Sequence, residues 1–407
     1  MRIVPSSSFF DIRPVSTTLW SLLLLLLAGC DDFDAAPVNF SQEDIVPVGM
    51  IQTLEIRERV LASLPEAAPA IDVKQAELGR LLFWDPVLSG DRDIACATCH
   101  LPEAGYTDDQ HQAIGVGGMG RGKDRSVGHT GRVPRNSQTL LNTAWNGINE
   151  LGMFEPSTAP MFWDNRVDSL ESQALEPIRS RQEMRGDNIA EQSIDAVIIT
   201  RLNDIPAYQQ AFSEVFGIES ITLDDVSRAL ASFQRTLVAN QTPYDRWMRG
   251  IPGAMTERQI SGMQEFVIAG CADCHSGPLF SDFQTHVLGT QEGIDVSTPD
   301  EGDGNFAFRT PTLRQLAFTG PYFHAGQFNS LGDAIDFYDE PRSSRNPNVA
   351  SSDLDKELLE VPEMDDGRGD IIQDFLEALN DDSFDKTVPE SVPSGLSPGG
   401  FEANVSP

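Results

Sequence analysis

The chain has 407 residues, 40% of them apolar and 22% charged, with 62 acidic residues against 29 basic ones and a formal charge of −33. That length accommodates two or three ordinary domains with packed cores. So acidic a surface repels nucleic acid and anionic headgroups; it suits a cationic protein partner, or serves solubility alone.

In chain order, Arg2 and Arg13 precede the apolar run Leu22–Leu27, which is too short for a permanent membrane span. Residues 1–29 therefore read as a secretory leader. The run closes as Leu27-Ala28-Gly29-Cys30, similar to the lipobox of bacterial lipoproteins, and that likeness implies that Cys30 becomes the acylated first residue. The alternative is an incidental free thiol. Acylation would hold the protein on a membrane surface without spanning it, on the periplasmic side, with residues 30–50 as an acidic tether.

Leu78, Leu81 and Leu82 recur at helical spacing, and Pro86 stops that helix before a short loop delivers Cys96-Ala97-Thr98-Cys99-His100. The pattern returns 175 positions later, from 96 to 271, as Cys271-Ala272-Asp273-Cys274-His275. Two thiols three apart on one helical turn can each add to a vinyl group of one porphyrin, and the adjacent histidine then reaches the iron. Two disulfides, or halves of a four-thiolate zinc site, would leave the two histidines at identical offsets unexplained. Four of the five cysteines are thus assigned to two covalently bound haem c groups, with His100 and His275 as proximal iron ligands. The spacing places one haem in each of two domains, 51–240 and 241–382.

From Pro102 to Arg135 the chain is rich in Gly, Asp and Arg and reads as a long loop. It carries His111 and His129, each either a removable sixth iron ligand or a solvated loop histidine. The order of features after each haem motif is the same. Arg135-Asn136-Ser137-Gln138-Thr139-Leu140 and Met161-Phe162-Trp163-Asp164 in the first half answer to Arg309-Thr310-Pro311-Thr312-Leu313-Arg314 and Tyr322-Phe323-His324-Ala325 in the second. We read an internal duplication in which Trp163 and His324 take equivalent places. The fold expected is mainly α: two tandem cytochrome c-like haem domains.

Val226, Leu230, Phe233 and Leu237 mark an amphipathic helix closing the first half, and Thr256-Glu257-Arg258-Gln259 is a capping box leading a helix into Cys271. Residues 289–304 read as a polar surface loop. Ile371, Ile372, Phe375, Leu376 and Leu379 make a closing helix, and the Pro, Ser and Gly of 383–407 predict a disordered tail. Arg309 and Arg314 are partners either for haem propionates or for surface carboxylates.

With these motifs in place, the stretch from about Leu78 to Leu379 resembles the bacterial di-haem cytochrome c peroxidase family, which includes the MauG-like enzymes. The resemblance implies a peroxide-binding haem at His100 whose distal side carries Gln173 and, ten positions on, Glu183-Met184. Glu183 would shuttle the peroxide proton and Gln173 orient the bound substrate. Trp163 corresponds to the family's inter-haem tryptophan, an electron relay that can also be a core aromatic. Fourteen residues after His324, where family members with an electron-donor haem place a methionine ligand, stands Tyr338, and no methionine occurs between Met263 and Met364. Tyr338 is either the sixth iron ligand of a MauG-like second haem or, by its spacing from Leu331 and Ile335, a core tyrosine. A hard phenolate would lower the potential and stabilise ferric or higher states. The resemblance further implies one calcium ion between the haems, at Asn136, Thr319 and Pro321.

The function expected is a peroxidase that reduces hydrogen peroxide at the His100 haem with electrons relayed through the His275 haem. Those electrons would come from a cationic donor, a small cytochrome or copper protein, or from a protein substrate that is itself oxidised. The competing readings are a di-haem electron-transfer cytochrome with both irons six-coordinate, and a peroxide sensor that shares the site but turns over slowly. An open distal site beside Glu183 separates the first of these from peroxide chemistry. His129 as a conditional ligand leans towards a peroxidase that opens on reduction.

Overall fold

Asp72 starts the first described helix, α1 (Val73–Trp84), by accepting a hydrogen bond from Gln75 N, and Asp85 ends it ahead of Pro86. In this computed structural model the described residues are 61–294, 298–339, 343–364 and 367–400. They fall in one compact unit, Val46–Pro407. The leader, Cys30 and the 30–50 tether lie outside the described residues. Among the described residues no helix is long and apolar enough to cross a membrane.

The architecture is mostly helical. After α1 come the one-turn helix Cys96–Cys99 and a long irregular stretch, then α2 (Leu170–Arg179), α3 (Glu191–Asn203), α4 (Pro206–Phe216) and α5 (Leu223–Gln234). α6 (Pro243–Met248), α7 (Glu257–Ile268), α8 (Leu331–Asp339) and α9 (Arg368–Glu377) build the second half. A two-residue ribbon there pairs β1 (Thr285–His286) with β2 (Phe308–Arg309), Thr285 opposite Arg309. The capping box expected at Thr256 is present, Thr256 accepting from Gln259 N while Gln259 Oε1 accepts from Thr256 N.

Each haem motif follows a helix that crosses a later helix at a glycine. A Cβ on Gly79 of α1 would lie 1.9 Å from the Ala229 carbonyl of α5, and one on Gly262 of α7 would lie 1.9 Å from the Ile371 carbonyl of α9. Only a residue without a side chain permits so close a backbone approach. Around the first crossing gathers a core of Leu82, Phe83, Ile198, Phe212, Leu230 and Phe233; around the second, one of Tyr244, Phe266, Phe280, Phe375 and Leu379.

Two expectations are corrected. Residues 383–400 are not a disordered tail: they return to the first half, burying Phe384 and Val392 in its core, and Ser394 Oγ donates to Asp85 Oδ1 at 2.6 Å. The composition of the segment is that of a disordered chain, but its few apolar residues meet a surface built by residues 300 positions away. Arg314 is neither a propionate partner nor a surface group. It is 1% exposed and forms a two-pronged pair with Asp245, at 2.7 and 2.9 Å, while its Nε donates to the Pro278 carbonyl at 2.6 Å.

Candidate haem and peroxide site

Both haem motifs open onto one continuous cavity of about 670 Å³. The thiols Cys96 and Cys99 border it from the helical turn, Cys271 and Cys274 from the turn after α7. None of the four is in a disulfide. Burial pushes the Cys96 thiol up to about 12 and raises that of Cys99 as well. Among the described residues the four sulfurs do not gather at one point; the one convergent trio of His, Cys or acidic groups is Cys274, Asp282 and His286. The zinc alternative is therefore not supported.

The two histidines are held alike. His100 Nδ1 donates to the Tyr106 carbonyl at 2.9 Å and His275 Nδ1 to the Phe280 carbonyl at 2.9 Å. A carbonyl can only accept, so the tautomer is fixed and Nε2 remains as the free ligand atom. Burial lowers the pKa of both rings, keeping them neutral. The residues present thus fit two haem groups: two thiols and one neutral imidazole at each end of one cavity.

On the His100 side, α2 and the turn that follows it supply Gln173, Pro177, Ser180, Glu183 and Met184 to the cavity wall. Glu183 sits in a wide turn, Arg181–Arg185, in which Arg185 N donates to the Ser180 carbonyl and Gly186 N to that of Arg181. Such widened turns recur at functional sites. Here the turn is anchored by Val116 N, which donates to the Gln182 and Glu183 carbonyls. Burial raises the Glu183 pKa, opposed by a hydrogen bond from Ser180 and the more distant Arg166. Pro177 was not singled out in the sequence; a proline inside a helix was the available signal, and it leaves the Gln173 carbonyl without its i+4 donor.

Trp163 is buried, borders the cavity, and donates its indole N–H to the Asn136 carbonyl at 3.0 Å. Arg309 N in turn donates to the Trp163 carbonyl at 2.7 Å, tying the indole to the second half. Beside it runs an ionic network that sequence reading missed: Arg135 grips Asp300 at 2.6 and 2.7 Å and Asp164 at 2.7 Å, and Asp164 also holds Arg166 at 2.8 Å. Arg309 is buried, its Nε committed to the Phe162 carbonyl, and its pKa falls to about 10 because burial disfavours its charge. It borders the cavity, as a propionate partner would.

On the His275 side Tyr338 borders the cavity from α8, together with Leu331 and Ile335. Burial, with a smaller contribution from Cys274 and Cys271, raises its phenol. It also packs against Phe337 and Phe323, with ring centres 5.2 and 6.0 Å away. His324, 3% exposed, stacks on Phe308 at 3.7 Å; its Nε2 has no protein partner and burial pushes its pKa down to about 4. A neutral, buried, orphaned nitrogen on this wall fits a polar edge of a bound group. His286 Nδ1 donates to Asp355 Oδ2 at 2.5 Å and its Nε2 to Asp282 Oδ2 at 3.1 Å, so the ring is an imidazolium.

Asn136, Thr319 and Pro321 border the same cavity. The Asn136 amide nitrogen donates to the Gln110 carbonyl at 2.9 Å, leaving Oδ1 as its acceptor for a cation. The two loop histidines stand apart from this set. His111 Nδ1 donates to the Gly326 carbonyl at 2.5 Å, and His129 lies half exposed at the surface, 3.8 Å from Asp187. Neither is among the residues around the cavity.

The comparisons with known proteins agree with this construction. The profile of the di-haem cytochrome c peroxidase family matches residues 73–252. The methylamine utilization protein MauG of Methylorubrum extorquens is 33% identical over 369 residues, 89% of this chain and 92% of its own. The cytochrome-c peroxidase IdrP1 of a Pseudomonas species is 34% identical over 364 residues, 79% of this chain and 85% of its own. In fold, a solved MauG-like protein associated with microbial copper homeostasis superposes with a TM-score of 0.62 at 24% identity, over 79% of this chain and 93% of that one. Two covalent-haem motifs on one cavity, with relatives aligned along most of the chain, place this protein in the di-haem cytochrome c peroxidase family that includes MauG.

Proposed function

We propose that hydrogen peroxide is reduced at the His100 haem, with Glu183 and Gln173 as the catalytic residues of the distal wall. The observation that carries this reading is the convergence of Glu183, Gln173 and Pro177 with Cys96, Cys99 and His100 on one cavity. The haem supplies the iron that binds peroxide and the electrons that cleave it. Glu183 takes the proton from the near oxygen and returns it to the far one, so that water leaves. Burial, the largest influence on this carboxyl, raises its pKa and so favours its holding the proton between the two transfers. Gln173 orients the substrate without titrating.

Trp163, buried on the cavity wall, would relay electrons between the two haems. Because its N–H is held by a carbonyl, which cannot accept the proton, an electron taken from Trp163 leaves the ring still protonated. Tyr338 would hold the second iron as a sixth ligand, in the MauG-like manner. Its phenol oxygen would supply a hard donor there, of the kind that favours the oxidised states needed to oxidise a protein partner. The matched glycine crossings at Gly79 and Gly262 support an internal duplication. One calcium ion, held by Asn136 Oδ1 and carbonyls of Thr319 and Pro321, suits the oxygen-only donors there. We further propose a periplasmic protein anchored through acylated Cys30, with a cationic redox partner.

The test is one equivalent of hydrogen peroxide added to the diferric holoprotein, followed by optical and EPR spectroscopy. A fast change with loss of the ferric EPR signals is expected, slowed roughly 10²- to 10⁴-fold in Glu183→Gln. Reaction only after one haem is reduced would instead assign His129 as a closing ligand. Inertness in both states would leave an electron-transfer cytochrome.

A further inference from the structure

The returning C-terminal segment touches the first haem site at two points. Thr98, between the two attachment cysteines and 1% exposed, donates its hydroxyl to the Gly399 carbonyl at 2.8 Å while accepting from Ala95 N at 3.0 Å. Next to it, Gly400 lies flat on the chain that leads into the motif: a Cβ there would come 2.3 Å from the Asp93 carbonyl, and its φ of +71° is one that glycine adopts without strain. The second point is Tyr106, whose carbonyl receives the His100 Nδ1 proton. Its phenol donates to the Asp385 carbonyl at 2.7 Å, and its ring packs on Phe384 with centres 6.2 Å apart. Between these points Ser394 is pinned to buried Asp85, which also accepts from Tyr208 OH at 2.7 Å.

The second haem site solves the same problem differently. Phe280, whose carbonyl receives the His275 proton, is caged by Tyr244, Phe266 and Phe375 from α6, α7 and α9. In the place of Thr98 stands Asp273, whose carboxylate cannot make the same hydroxyl donation.

We infer that residues 384–400 are a positioning strap for the proximal side of the peroxide haem: Gly399 fixes the attachment turn through Thr98, and Phe384 with Asp385 fixes the carbonyl that orients His100 through Tyr106. This rests on the assignment of His100 as an iron ligand, which the two motifs support independently of the strap. A short, well-aligned Nδ1–H···O=C bond gives the imidazole more anionic character, strengthens its bond to iron and stabilises the ferric state. Slackening the strap lengthens that bond and reverses both effects at one haem.

The experiment uses the holoprotein with both haems attached and three variants: Tyr106→Phe, Thr98→Val, and a chain ending at Asp382. In the ferrous state, resonance Raman is expected to show a lower iron–histidine stretching frequency for the His100 haem in each variant. Redox titration is expected to show its potential moved upward, with the His275 haem unmoved. A lowered melting temperature with the stretching frequency and both potentials at their wild-type values would overturn the inference, leaving the strap as a stabiliser alone. An equal shift at both haems would overturn it too. If the shortened chain fails to take up haem, the two point variants, each a loss of one hydroxyl, decide the matter. If the strap effect is present while peroxide fails to react, the positioning inference stands and the peroxidase reading falls.

Discussion

Replacing Arg314 by Met removes three hydrogen bonds from the middle of the second half: two to Asp245, at 2.7 and 2.9 Å, and one to the Pro278 carbonyl at 2.6 Å. What remains is a fully buried Asp245 carboxylate with the Thr242 hydroxyl and Leu64 N as its donors, at 2.7 and 3.1 Å. Breaking one side of a buried pair costs about 3–5 kcal/mol. The stranded Pro278 carbonyl adds roughly 1 kcal/mol. Set against a whole-protein stability of about 5–15 kcal/mol, that is a large part of the total. Denaturant unfolding of the holoprotein, followed by circular dichroism and by the haem absorption, is expected to show a midpoint lowered accordingly. The second haem should be released first, since Pro278 lies in the loop between His275 and Phe280. Arg314→Met combined with Asp245→Leu should recover part of the loss, because two apolar residues of similar size need no partners; the bonds from the Thr242 hydroxyl and Leu64 N to Asp245 are newly lost, costing roughly 1–3 kcal/mol, while the cap bond from residue 245 N to the Thr242 hydroxyl persists. The reasoning is refuted if the single variant loses under about 1 kcal/mol, or if the double variant is no more stable than the single one.

Trp163→Phe keeps a buried ring but removes the indole and its bond to Asn136, so electron exchange between the haems, read by stopped-flow reduction of one haem at a time, should slow while peroxide binding persists. An unchanged rate would remove Trp163 from the path. Tyr338→Met replaces a hard donor by a soft one, and the potential of the His275 haem should rise by spectroelectrochemistry; a potential that stays put would return Tyr338 to the role of a core tyrosine. His286 is pushed up to about 11 from an ordinary 6.5, first by its bond to Asp282 and then by Cys274, whose share falls away once that sulfur is a thioether. A raised pKa means that the folded state holds the extra proton. Its stabilisation is complete below about 6.5 and fades as pH rises above that value, so His286→Gln should flatten the fall of stability on the alkaline side. An identical slope in both proteins would count against the charged pair.

The haem sites were legible because covalent attachment demands fixed local spacing: two thiols and a histidine within five residues carry their own geometry, twice. The helices around Leu78, Val226, Thr256 and Ile371 were legible for a similar reason, since an apolar stripe or a cap is written within one or two turns. Gln173 and Glu183 were proposed from their offset, not from chemistry visible in one stretch, and in the folded chain both border the same cavity as His100. What the linear chain did not reveal was which backbone groups and which remote side chains meet in the folded protein. The carbonyls of Tyr106 and Phe280 that orient the two histidines have no side-chain signature. Arg314 reads like any arginine until its 69-residue-distant partner Asp245 buries it. The last segment has the composition of a disordered tail, and only the surface formed by Asp85, Thr98 and Tyr106 gives it a place to bind. Local chemistry thus determined which groups this protein carries; tertiary packing decided how they are held, because hydrogen bonds and burial depend on neighbours that only folding brings together.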